Sequence, residues 1–106
     1  MDTIGKMKLC NDGGFVAIFS FMYGPNFEYR CAGSGPIILG KCATAEPDMS
    51  YDGAQIKMYV YVTSADQKSD KIAPEVFTWL KGSPKVATYK ISGVLYNDKL
   101  VYQGVS

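Results

Sequence analysis

Residues 55–63 read Gln-Ile-Lys-Met-Tyr-Val-Tyr-Val-Thr, with Ile56, Met58, Val60 and Val62 on one side and Lys57, Tyr59, Tyr61 and Thr63 on the other. An extended backbone points successive side chains to opposite faces. A strict period of two therefore specifies a strand, because a helix would scatter the same residues around its circumference.

The rest of the chain repeats strand-sized runs between turn residues. Residues 14–23 (GFVAIFSFMY) are rich in aromatic and β-branched side chains on both faces, as a central strand requires, and Gly24-Pro25-Asn26 stops them. Short strands are expected over 27–31 and 36–42, separated by the Ala32-Gly33-Ser34-Gly35 turn, and residues 47–53 hold further turn residues. Residues 75–81 and 85–92 flank Gly82-Ser83-Pro84 as a hairpin, and a last strand over 100–103 follows Asn97-Asp98. This spacing predicts an all-β fold: a two-sheet antiparallel β-sandwich of about seven strands, immunoglobulin-like in appearance. With 106 residues, one domain spanning 1–106 is expected.

In such a fold consecutive strands run up and down, so alternate bends gather at one end. Counting backward groups 11–13, 32–35, 64–73 and 93–98 at one tip, and 24–26, 44–53 and 82–84 at the other. A rigid sandwich with four loops at one tip offers a binding surface there.

Catalysis finds little support. The chain has no histidine, which removes the commonest general base and the Ser-His and Cys-His pairs. Asp48 with Asp52, and Asp66 with Asp70, read as solvated loop charge rather than a glycosidase pair or a calcium loop. Eleven Lys and Arg balance ten Asp and Glu, so no basic stripe marks a nucleic-acid partner. Cys10, Cys31 and Cys42 lack metal-ligand spacing, and no cofactor motif is present. They read either as small apolar core residues or as a Cys31–Cys42 bridge that leaves Cys10 free. Residues 1–6 show neither the basic start nor the apolar stretch of a secretory leader. That is consistent with a removed leader or with synthesis in the cytoplasm, and action outside the cell or at its surface is expected. Among the aromatics, Trp79 reads as a packing residue and Tyr96, beside Asn97 and Asp98, as the most exposed.

Several stretches fall in a familiar order: an Asx-Gly turn, Gly14-Phe15-Val16-Ala17, an aromatic strand, Leu39-Gly40-Lys41, residues 55–62, and Ile91-Ser92-Gly93-Val94-Leu95-Tyr96-Asn97. The pattern resembles the C-terminal membrane-recognition domain (domain 4) of the cholesterol-dependent cytolysins and stand-alone proteins of similar pattern. The resemblance implies a β-sandwich with ligand loops at one tip. It maps the family's sterol-recognising Thr-Leu pair onto Val94 and Leu95, which keeps the leucine and loses the hydroxyl. It maps the tryptophan-rich tip loop onto residues 63–73, which here are polar and carry no tryptophan. The pore-forming domains have no counterpart.

Some members of that family also recognise glycans. A tip carrying Asn11, Asp12, Ser34, Asp66, Gln67, Tyr96 and Asn97 has the amide, carboxylate and hydroxyl groups that hydrogen-bond sugar hydroxyls. The expected function is accordingly a non-enzymatic, lectin-like module that binds a cell-surface glycan or glycoprotein and can agglutinate cells. The alternative is attachment to a sterol-containing membrane surface through Val94 and Leu95. Homo-oligomers through exposed strand edges are a further expectation.

Overall fold

The computed structural model describes residues 2–49, 52–64, 67–94 and 97–106. Ten strands follow one another among them: β1 (Thr3–Ile4), β2 (Lys6–Gly13), β3 (Val16–Tyr23), β4 (Tyr29–Ala32), β5 (Cys42–Ala45), β6 (Gln55–Ser64), β7 (Gln67–Ile72), β8 (Phe77–Trp79), β9 (Val86–Val94) and β10 (Asn97–Val105). One sheet runs β1-β8-β6-β3-β4, with β7 also paired to β6, and the second runs β10-β9-β2-β5.

The period-two reading of 55–63 is realised in β6, whose Ile56, Met58, Val60 and Val62 are buried. Phe19 and Phe21 of β3 lie beside them, edge to face at 5.7 Å between ring centres. The facing layer supplies Met7 and Leu9 from β2 and Tyr89 and Ile91 from β9, all buried. Trp79 is buried as expected of a packing residue, and its indole N–H donates to the Gly5 carbonyl at 3.0 Å. That bond meets the polar need of a side chain that otherwise contributes only apolar area.

The sandwich class matches the sequence reading, but ten strands replace about seven and the sheets are mixed. β1 pairs parallel with β8, and β2 pairs parallel with β9 along its whole length. Strands adjacent in the chain often lie in opposite sheets here, which allows a parallel neighbour without a helical crossover. The expected hairpin around Gly82-Ser83-Pro84 is one such crossing, because β8 and β9 belong to different sheets. The Lys85 carbonyl accepts from the amides of Gly5 and Lys6 and ties this crossing to the start of β2. Most of the expected loop 64–73 is strand β7.

The cysteines follow neither reading in full, neither three unpaired core residues nor a Cys31–Cys42 bridge. Cys10 and Cys42 face each other in the β2–β5 register and form the disulfide. Cys31 sits on β4 opposite Phe21, in the other sheet, and is free. The two candidates for a Cys31–Cys42 bond therefore lie on different layers.

Candidate functional site

Register decides which bends share an end. Gly13 pairs with Gly93, and the Gly14 amide donates to the Gly93 carbonyl at 3.0 Å, so β2 and β9 end together. Val16 pairs with Thr63, which brings the end of β6 to the same pole. Gly93 has φ 99°, and a Cβ there would press into the Asn97 carbonyl, so only glycine lets β10 return this closely.

The fourth bend at this tip is not the one around Ser34. After β4 the chain continues along β3: the Ser34 amide donates to the Phe19 carbonyl, and Ile37 exchanges two main-chain bonds with Ala17. Residues 36–42, expected as a strand, then fold into a turn. The Lys41 amide donates to the Ile38 carbonyl at 3.1 Å, and Gly40 has φ 82°. Positive φ at the third position makes this a type II turn, with Leu39 and Gly40 at its corners. The turn is moored to β2 by the Gly40 amide on the Asn11 carbonyl and the Asn11 amide on the Lys41 carbonyl, at 2.7 and 2.9 Å. It leaves Ile38 56% and Leu39 59% exposed, and Val94 at the end of β9 is 58% exposed. Three large aliphatic side chains thus face solvent at one pole.

The polar residues read from the sequence fare unevenly. Asn11 is buried; its Nδ2 donates to the carbonyls of Phe15 and Ile37, and its Oδ1 accepts from the Gly13 amide. Its donors and acceptor are committed to holding the turns, so it shapes the tip instead of meeting a ligand. Ser34 Oγ accepts from the Phe19 amide at 2.9 Å, alongside the middle of β3 and away from the tip. Both leave the set of ligand-contacting residues for the same reason: their polar groups replace missing backbone partners. Asp12 is exposed and pairs with Lys90 at 3.4 Å. Asn97 is exposed at the start of β10, opposite Val94. Gln67 opens β7 in register with Ser64. Asp66, Leu95 and Tyr96 lie outside the described residues.

Sequence reasoning missed Ile38 and Leu39. Gly40 after two aliphatics was the available signal for a type II turn, but the apolar run around it reads equally as a strand. It also missed a charge pair between the layers. Lys71 of β7 and Asp98 of β10 meet at 2.9 Å, with the Asp98 side chain only 1% exposed. They lie beside a cavity of about 310 Å³ at the open flank between β7 and β10.

Of the acidic pairs, Asp52 accepts from the Lys81 amide and Asp70 accepts from the Tyr59 hydroxyl. Asp70's bond holds the Tyr59 phenol above its ordinary range. Among the described residues no three His, Cys, Asp or Glu side chains are grouped to hold a metal.

Compared with solved structures, the chain superposes on the membrane-binding domain of pneumolysin with a TM-score of 0.51 and 13% identity, over 94% of this chain and 96% of that one. It shares that domain's fold. A non-hemolytic pneumolysin from Streptococcus pneumoniae strain ST306 matches with a TM-score of 0.53 and 9% identity, over 93% of this chain and 23% of that one. A disulfide-locked mutant of intermedilysin with human CD59 matches at 0.55 and 15% identity, over 96% of this chain and 24% of that one. The chain therefore spans about a quarter of these last two toxin chains. No protein-family model matches the sequence, and no curated protein matches it. The neighbours agree with the cytolysin resemblance read from the residues, at the level of the fold.

Proposed function

We propose that this chain is a non-catalytic module that attaches to a membrane surface through the tip where β2, β6 and β9 end beside the 38–41 turn. The observation that carries the reading is the exposure of Ile38, Leu39 and Val94 at one pole. Its fold neighbour is described as a membrane-binding domain. Moving each of these side chains out of water gains roughly 1–2 kcal/mol. Three of them support weak, reversible attachment, well short of insertion by a spanning helix. With a formal net charge of +1, general attraction to anionic lipid adds little. The Cys10–Cys42 disulfide fits action in an oxidising space outside the cell.

Val94, with Leu95 following it in the sequence, is the pair that would meet a sterol. Flotation with phosphatidylcholine vesicles, with and without cholesterol, tests both levels of the proposal. Co-flotation in both samples supports apolar attachment, and co-flotation only with cholesterol supports sterol recognition. A protein that stays at the bottom of both gradients is not a membrane module.

A glycan ligand at the same tip is the weaker reading. Of the seven polar residues it invoked, Asp12 and Asn97 are the described side chains still exposed there.

A further inference from the structure

A sandwich buries the inner faces of its two sheets, and an outer face left to solvent is ordinarily polar. The two outer faces of this chain differ. On the four-stranded sheet, β2 and β9 turn Lys6, Lys8, Thr88 and Lys90 outward. On the other sheet β3 is apolar on both sides, with Phe19 and Phe21 inward and Val16, Ile18 and Met22 outward and half-buried. Register sets Ile18 beside Tyr61, and sets Tyr59 between Ser20 and Ile72, which is 54% exposed. The Arg30 guanidinium lies 4.1 Å from the centre of the Tyr59 ring, and the Tyr59 hydroxyl donates to Asp70. Tyrosine, arginine and methionine among aliphatics are the composition of an interface core, and a wet sheet face has no use for them.

We infer that this face docks a second copy of the chain, packed face to face and antiparallel about a two-fold axis. Charge sets the order. Arg30 and Lys57 share one row, both paired with Met22, while Asp70 pairs with Tyr61 on the far side of the Tyr59 row. An axis through the Tyr59 row, across the strands, exchanges those two rows, so Lys57 of one copy meets Asp70 of the other. Copies running in the same direction would instead lay the Arg30–Lys57 row on its own counterpart, which like charges oppose. Four strands about 4.8 Å apart, over about seven residues each, present roughly 450 Å² a side. Counted over both copies, about 900 Å² suits a weak, reversible dimer and not an obligate one. Edge pairing is less suited, because β10, the long end strand, carries a bulge between Tyr102 and Gly104 that deters a further strand. The antiparallel order points the two tips in opposite directions, so a dimer joins two membrane surfaces. That consequence rests on the tip attachment proposed above; the dimer itself does not.

Sedimentation of the whole chain without lipid, from about 10 μM to about 1 mM, tests the contact, and a Kd on the order of 0.1 mM is expected. Amide shifts that change on dilution should centre on residues 16–22 and 57–61. Ile18→Lys should abolish the dimer. Lys57→Glu and Asp70→Lys should each weaken it roughly tenfold, and the two together should restore it. A folding defect in either variant cannot produce that rescue. Three results would each overturn the assignment: a monomer throughout the range, including one whose residues 16–22 respond instead to vesicles; dilution shifts centred on 97–105 or on β2; or no rescue in the double variant. Well below the Kd the chain is a monomer, so tip attachment is measured there independently. At dimer-forming concentrations phosphatidylcholine vesicles should aggregate, and vesicles that float with the protein yet stay dispersed would overturn the opposed order.

Discussion

The two poles of the sandwich are built from the same kinds of turn but finish their surfaces differently. At the pole carrying residues 24–28, 46–49, 52–54 and 80–85, polar groups and cations lie over the turns. The Lys57 ammonium lies 4.6 Å from the centre of the Phe27 ring. The Lys81 amide donates to Asp52, and the Lys85 amide donates to Ser83. At the opposite pole Asn11 turns inward and braces two loops from beneath, while Ile38, Leu39 and Val94 face water beside exposed Asp12 and Asn97. Among the described residues, Tyr29 at 54% and Leu80 at 44% are the large hydrophobic side chains exposed at the first pole. The contrast teaches that the hydrogen bonds holding the tip are placed so that its surface can be apolar, which the far pole has no need to be.

That contrast can be broken by steps of decreasing size. The Cys10–Cys42 bond closes a loop with a sequence separation of 32 beneath the 38–41 turn. Cys10→Ser with Cys42→Ser should cost roughly 3–4 kcal/mol, seen as a lower urea midpoint that no longer responds to reductant. Removing one brace comes next. Asn11→Ala removes the side-chain partner of the Phe15 carbonyl and the Gly13 amide and one of the two bonds to the Ile37 carbonyl, which keeps its bond from Ala17, and should cost about 2–3 kcal/mol. The far-pole counterpart Asp52→Ala, which frees one exposed amide, should cost under about 1 kcal/mol. Equal losses for the two would show that the tip is not specially braced. Gly40→Ala forces a Cβ into positive φ and should cost about 1 kcal/mol, and it should also weaken vesicle flotation by tilting Ile38 and Leu39.

The smallest effect concerns the middle of the molecule, between the two poles. Burial raises the Tyr89 phenol above its ordinary range, and the nearby Glu75 carboxylate adds to this. The folded protein therefore keeps Tyr89 protonated where the unfolded chain ionises it, near pH 10. Its contribution to stability is complete below that pH and is lost as pH rises further. Tyr89→Phe should flatten the alkaline fall in denaturation midpoint while leaving the neutral-pH tip behaviour unchanged.

Much of the fold was legible because alternation is local. Ile56, Met58, Val60 and Val62 announce their face without reference to any partner, and β3 and β6 follow directly. The up-and-down count also placed the ends of β2, β6 and β9 together, since the chain reverses after each of them whichever sheet receives the next strand; it failed at 32–35, where the chain runs on along β3. What it could not carry was sheet membership, a long-range property. Thus the β8–β9 crossing read as a hairpin, and Cys31 read as a partner for Cys42.

The candidate site was less legible for a related reason. Asn11 and Ser34 look like ligand groups in a sequence, and only the backbone atoms they satisfy, in segments up to 26 residues away, reveal them as braces. Ile38 and Leu39 look like strand core until the Gly40 turn puts them outside. The Lys71–Asp98 pair joins two layers and has no signature along the chain.

The central claim is that the pole bearing Ile38, Leu39 and Val94 meets the membrane while its opposite stays in water. Paramagnetic broadening of backbone amides by spin-labelled lipid in nanodiscs measures this directly. The account expects broadening at residues 13–14, 38–41 and 94, and sharp signals at 24–28 and 80–83. Uniform broadening, or broadening centred on the second group, would contradict it.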